Sequence, residues 1–474
     1  MPAPPRFDSG SYRDRDGRVF YDAQGGVFRS LSEEALADWH AVSLSRFFGD
    51  ALARGDVIET ELLPPEHPVG HNLSGAWSGV LRHARIPFVS YPYEWSFGML
   101  QDAALLQLAL LAAALREDLT LKDGTAYNVQ WQGTRPVFID VASFVPLLPG
   151  APWAGYRQFC QTQLYPLLLQ AYKGIDFHPF LRGRLDGISP ADCWRLMSLG
   201  DLFRRGVFGH VFLHQWLESR PAVDAGDVSK GLPAAGFNKQ MIQGNVDRLQ
   251  KLVGRLRWSP PQSTWSEYAG ANRYSDQERE LKSRFVRCVV EGRRWKRVWD
   301  LGCNTGDYSR IAAENADQVV AFDADHLAVE RFYQALKQER SPAAANILPL
   351  VNDLVDPSTG LGWRGAERKG LAERGTPELT LCLALVHHLV IGRGVPLREL
   401  LDWFASLGTD LIIEFVSRQD PMVQRLLRGR RDNDHDYEQQ SFERLLSERF
   451  EIVRSEPLLE GARVLYFGRW RGAA

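Results

Sequence analysis

Short apolar runs alternate with stretches of helical spacing through the second half of the chain. Residues 298–301 and 319–322 are strand-like runs, and 307–315 between them has helical spacing with Ile311 and Ala312 turned inward. The alternation continues with runs at 347–351, 379–385 and 411–416, and with helices at 276–290, 327–338 and 437–449. It closes on runs at 450–453 and 463–467, which suit an antiparallel pair. Such an order predicts a doubly wound α/β sheet.

The first half reads differently. Turn chemistry at 12–17 and apolar runs on either side of Gly25-Gly26 predict a hairpin across 12–31. Residues 32–54 have a helical pattern with Ser32 as N-cap and Glu34 in the first turn. An extended run, 86–93, leads into a largely buried helix over 97–115. A short hairpin then turns at Gly133 and ends at Asp140. Helices follow over 156–173, 193–203 and 238–257, with Trp194 and Phe203 expected in the core. Residues 224–237, rich in Gly, Ala and Pro, are the expected linker. We expect an α+β domain over 1–250 and an α/β domain over 265–474.

Composition narrows the class. The 474 residues allow roughly three domains. Hydrophobic residues make up 45% and charged residues 24%, as in globular proteins. A net charge of -2 points away from bulk nucleic-acid binding and from a charged membrane surface. Five scattered cysteines without CxxC imply reduced thiols, a cytoplasmic setting and no zinc site. The longest apolar run, 103–115, is shorter than the about 20 residues that span a bilayer.

The candidate chemistry centres on VWDLGCNTGDYSRIAAENADQVVAFDAD, residues 298–325. Gly302 and Gly306 bracket a sharp turn between strand and helix, where missing side chains let a ligand lie against the backbone. Asp323 ends the next strand, 21 residues beyond Gly302. An acid there can accept hydrogen bonds from a ribose diol. In a βαβ unit the ligand sits at the carboxyl ends of the strands. A dinucleotide site wants G-x-G-x-x-G, but Asn304 and Asp307 occupy its second and third glycine positions. An acid at the helix start opposes a pyrophosphate. Asp300 and Asp307 are instead compatible with a sulfonium and an ammonium group. The electrostatics favour S-adenosyl-L-methionine.

This stretch resembles motif I of class I S-adenosylmethionine-dependent methyltransferases, with Asp300, Gly302 and Gly306 at matching positions, Asn304 in place of the more usual glycine, and Asp323 as the ribose acid. The whole chain further resembles bacterial methyltransferases often labelled nodulation-protein-like, through SYPYEWSFGMLQDAA, LKDGTAYNVQ, RPVFIDVASF and LALVHHLVIG. The resemblance implies a Rossmann-like methyltransferase domain and an adenine contact from Asp353. Aromatic residues before the 276–290 helix, Tyr268 among them, either fold over the cofactor or pack between domains.

Two further constellations carry chemistry. His387 and His388 follow the 379–385 run, and one of them, with His388 favoured, would face the methyl group as general base, since neighbours on an extended strand point to opposite sides. Asp123, Asn128 and Asp140 have the spacing of a protein-kinase catalytic loop. Glycine-rich loop and strand lysine are missing, and Arg29 is the nearest basic candidate. The expected part is a kinase-like scaffold without phosphate transfer. The arginine-rich run 425–431 is expected to be a solvated face. The expected activity is methyl transfer to an O or N of an unidentified acceptor, a glycan or a small molecule. The alternatives are a bifunctional kinase-methyltransferase and a non-catalytic cofactor-binding regulator.

Overall fold

A computed structural model describes residues 6–71, 73, 77–219, 239–259, 276–339, 341–428, 437–458 and 461–472. It divides into two compact units. The first comprises Met1–Trp131, Arg135–Pro260 and Gly360–Arg368; the second comprises Gln132–Thr134, Pro261–Thr359 and Lys369–Ala474.

The first unit begins with strands β1 (Arg6–Phe7), β2 (Gly17–Tyr21), β3 (Val27–Leu31), β4 (Thr60–Leu62) and β5 (Gly79–His83). They form an antiparallel sheet in the order β1-β2-β3-β5-β4. The expected hairpin is β2–β3, with Phe20 and Phe28 stacked at 5.4 Å. The pattern at 32–54 is two helices, Glu33–Ser43 and Arg46–Arg54. Ser32 caps the first, and Ser45 restarts the second by accepting from Phe48 N–H. The run 86–93 is not a strand. Pro87 and Pro92 lack the N–H a ladder needs, and Pro92–Glu94 is a 3₁₀ turn.

Ser96 caps the helix Phe97–Arg116. At 20 residues it is long and apolar enough to cross a membrane, which the shorter apolar run did not foretell; 61% of its apolar window is buried inside the protein. β6 (Leu119–Leu121) pairs with β9 (Phe144–Pro146), and β7 (Val129–Gln132) with β8 (Arg135–Phe138). The helix expected over 193–203 stops at Leu196. Ser198 and Asp201 then cap a new 3₁₀ turn, Leu199–Phe203, which leaves Phe203 94% exposed rather than in the core. Lys239–Val253 buries Ile242, Val246 and Leu249, and Gln101 on Phe97–Arg116 donates to Val253 O at 2.7 Å. The linker residues 224–237 lie outside the described residues.

The second unit is built on seven strands: β10 (Val298–Leu301), β11 (Val319–Asp323), β12 (Ile347–Val351), β13 (Leu379–Cys382), β14 (Asp410–Val416), β15 (Phe450–Pro457) and β16 (Arg463–Trp470). Their order is β12-β11-β10-β13-β14-β16-β15. Five are parallel, and β16 runs antiparallel to both neighbours. Covered on both faces, the central strands read as continuous apolar runs. Strand order reverses between β10 and β13. A ligand crevice forms at the carboxyl edge of such a reversal.

Candidate functional site

The turn after β10 is left-handed at three positions: Gly302 (φ 73), Asn304 (φ 48) and Gly306 (φ 81). A Cβ on Gly306 would stand 1.9 Å from the Phe332 ring. That glycine is therefore required by packing against the helix His326–Gln338. It is absent from the cavity wall, whereas Gly302 and Asn304 line it. A Cβ on Gly302 would press on the Leu385 side chain at 3.2 Å. Asn304 tolerates the left-handed conformation better than most residues, and its N–H donates to Asp323 Oδ2 at 2.8 Å.

A cavity of about 540 Å³ opens along the carboxyl edge, within the range of small-molecule sites. Asp300, Asp323 and Asp353 all line it. Asp323 also accepts from Asp325 N–H at 2.8 Å. A carboxylate has about four acceptor positions, so capacity for a diol remains. Burial raises its pKa against these backbone bonds. Asp300 is 2% exposed and accepts from Ser309 Oγ at 2.5 Å. Burial lifts its carboxyl to about 7, with nearby Asp323 adding to the rise. Asp353 is held by Arg393 at 2.9 Å. Beside it the buried Asn352 lines the cavity, and its Oδ1 has no hydrogen-bond partner among the described residues.

The histidines differ from expectation. β13 stops at Cys382, Ala384 turns left-handed (φ 51), and His387 already has helical φ/ψ (-65, -29). A helical turn does not send neighbours to opposite faces. Both rings line the cavity, with centroids 4.0 Å apart. Burial lowers the pKa of His388 to about 4, and burial, then His388 and Lys282, lowers that of His387 well below the usual value. His387 is 2% exposed, and its Nδ1 is buried with no partner among the described residues.

The sequence reading missed a chain of buried charges. Lys282 Nζ lies 2.8 Å from Glu414 Oε2, which also accepts from Ala384 N–H at 2.8 Å. Arg463 reaches Glu414 Oε1 at 3.3 Å and Asp420 Oδ2 at 2.7 Å. One signal was available: Glu414 interrupts an apolar strand, and a buried carboxylate must find a partner.

In the first unit the structure brings Asp123, Asn128, Asp140 and Arg29 together. Burial and then Asp140 raise the pKa of Asp123, against a lowering by Asn128. Arg29, on β3, pairs with Asp140 at 2.7 Å and Asp14 at 3.3 Å. Tyr268 lies outside the described residues, as do 429–436, so part of the 425–431 run is outside as well.

A doubly wound sheet with an acid-lined cavity at its point of reversal gives the second unit an α/β, Rossmann-like architecture. No family model matches the chain. It is 35% identical over 474 residues to nodulation protein NoeA of Rhizobium meliloti (strain 1021), covering 98% of this chain and 96% of that protein. The chain belongs to the NoeA family. Among solved structures, N-methyltransferase NodS from Bradyrhizobium japonicum WM9 matches 42% of this chain and 99% of its own, with 15% identity and a TM-score of 0.31. Magnesium protoporphyrin IX methyltransferase (ChlM) from Synechocystis PCC 6803 matches 44% and 90%, with 19% identity and a TM-score of 0.29.

Proposed function

We propose that the second unit is an S-adenosylmethionine-dependent methyltransferase acting on an O or N of a glycan or small molecule. The carrying observation is the cavity at the strand reversal, with Asp323 at the end of β11 facing a left-handed turn after β10. The side chains fit the cofactor's groups. Asp323 suits a ribose diol, the unpartnered Asn352 Oδ1 suits an N–H donor such as an adenine amine, and Asp300 suits positive charge. S-adenosylmethionine bound there would supply an electrophilic methyl group. The chain contributes alignment of the acceptor and a neutral histidine to take its proton.

Asp323→Ala should weaken binding of S-adenosylmethionine by about 1.5–3 kcal/mol, as for a hydrogen bond to a charged group. Calorimetry on the folded variant checks this. Unchanged affinity would remove Asp323 from the ribose role.

The first unit reads as a kinase-like scaffold that does not transfer phosphate. Arg29 engages Asp140, which leaves that carboxylate neutralised where phosphate transfer would need it on a metal. The full chain with magnesium and ATP should release no more ADP than its Asp140→Ala variant. Turnover that vanishes in the variant would promote the bifunctional alternative.

A further inference from the structure

Strand order sets positions along the cavity. Asp353, Asp323 and Asp300 belong to β12, β11 and β10, or the residues just after them. The His387–His388 turn follows β13, Glu414 lies on β14 and Arg463 begins β16. From β10 to β16 is three strand spacings, or about 14 Å. The cavity thus has an acidic end, a histidine middle and an end built on β14 and β16.

That last end is cationic toward the cavity. Lys282 and Arg463 line it, while their partners Glu414 and Asp420 are absent from its wall. Glu414 is already shared by Lys282, Arg463 and a backbone N–H. Arg279, three residues before Lys282 on the helix Asp276–Val290 and so on the same face, also lines the cavity. No described carboxylate forms an ion pair with it. Lys282 and Arg463 thus reach the wall with their paired carboxylates outside it, and Arg279 adds a third cation, while Asp307 on the neighbouring helix also lines the cavity. Cations in a cavity wall attract an anion and repel an ammonium ion.

We propose that the β14–β16 end is the acceptor subsite, and that it selects an acceptor carrying a carboxylate or phosphate group. The inference rests on the methyltransferase reading for the word acceptor, but the anion site stands on the cation wall alone. It also places the acceptor's anionic group beyond the histidines, so that the accepting atom lies beside them.

The full chain is titrated with phenylacetate, phenyl phosphate and 2-phenylethylamine by ligand-observed NMR, with and without S-adenosylhomocysteine. The anions should bind and the amine should not, and the tighter of the two anions names the acceptor's group. Arg279→Glu, an exposed position, should weaken anion binding about tenfold or more while keeping the melting temperature. Binding of the amine as tight as that of the anions overturns the proposal. So does failure of both anions, or anion binding unmoved by Arg279→Glu. If S-adenosylhomocysteine does not bind, the cofactor reading falls, and the titration of the unloaded chain still decides this one.

Discussion

Lys282→Met should cost about 3–5 kcal/mol of folding stability, the range for breaking one side of a buried ion pair. Lys282 is 1% exposed and Glu414 0%, so water compensates little when one partner is removed. Methionine fills similar volume, which isolates the charge from the packing. The loss arises from Glu414, left with Arg463 and one backbone N–H in a dry site. Adding Glu414→Gln should return part of the loss, because an amide costs less to bury than a carboxylate. Urea unfolding of the single and double variants measures this. A single-variant loss under about 1 kcal/mol would match a solvated pair instead.

His388→Ala should lower methyl transfer by about 10²–10⁴ at saturating cofactor, with cofactor affinity kept. An oxygen acceptor must lose a proton, and His388 is neutral at pH 7 and lines the cavity. Because burial lowers its pKa to about 4, the rate should hold well below the pH at which an exposed histidine protonates. Its acid limb should fall near pH 4. Parent-like rates in both the His387→Ala and His388→Ala enzymes would place the base elsewhere, or mean that the nucleophile needs none.

The sheet of the second unit could be read in the sequence because its central strands are buried on both faces. Val319–Asp323 and Ile347–Val351 need no partner element to be recognised as strands. The glycine turn was legible for the same local reason, since left-handed backbone favours Gly and Asn. Ala384 was not, because alanine carries no mark of the left-handed conformation that ends β13 early and moves the histidines onto a helical turn. Nor was the Lys282–Glu414 pair, whose partners stand 132 residues apart. The first unit's helix breaks at Ser45 and Ser198 were missed because serine also occurs inside helices, and only the geometry shows it capping.

Burial puts the Asp300 carboxyl where it can exchange a proton near neutral pH. An unfolded aspartate has a pKa of about 3.9, and burial lifts the folded one to about 7. Between those values the folded chain keeps a proton that the unfolded chain releases. The raised pKa means that this group's contribution to stability is full below about pH 4 and is lost as pH rises through about 7. A cation entering the cavity favours the ionised form and drives the proton out. Binding of a sulfonium ligand at about pH 6 should then release a proton, and its apparent enthalpy should depend on the buffer's heat of ionisation. Equal enthalpies in phosphate and imidazole would mean that the carboxyl does not change its protonation on binding. With the exchange, acidification would loosen the ligand and firm up the fold at the same residue.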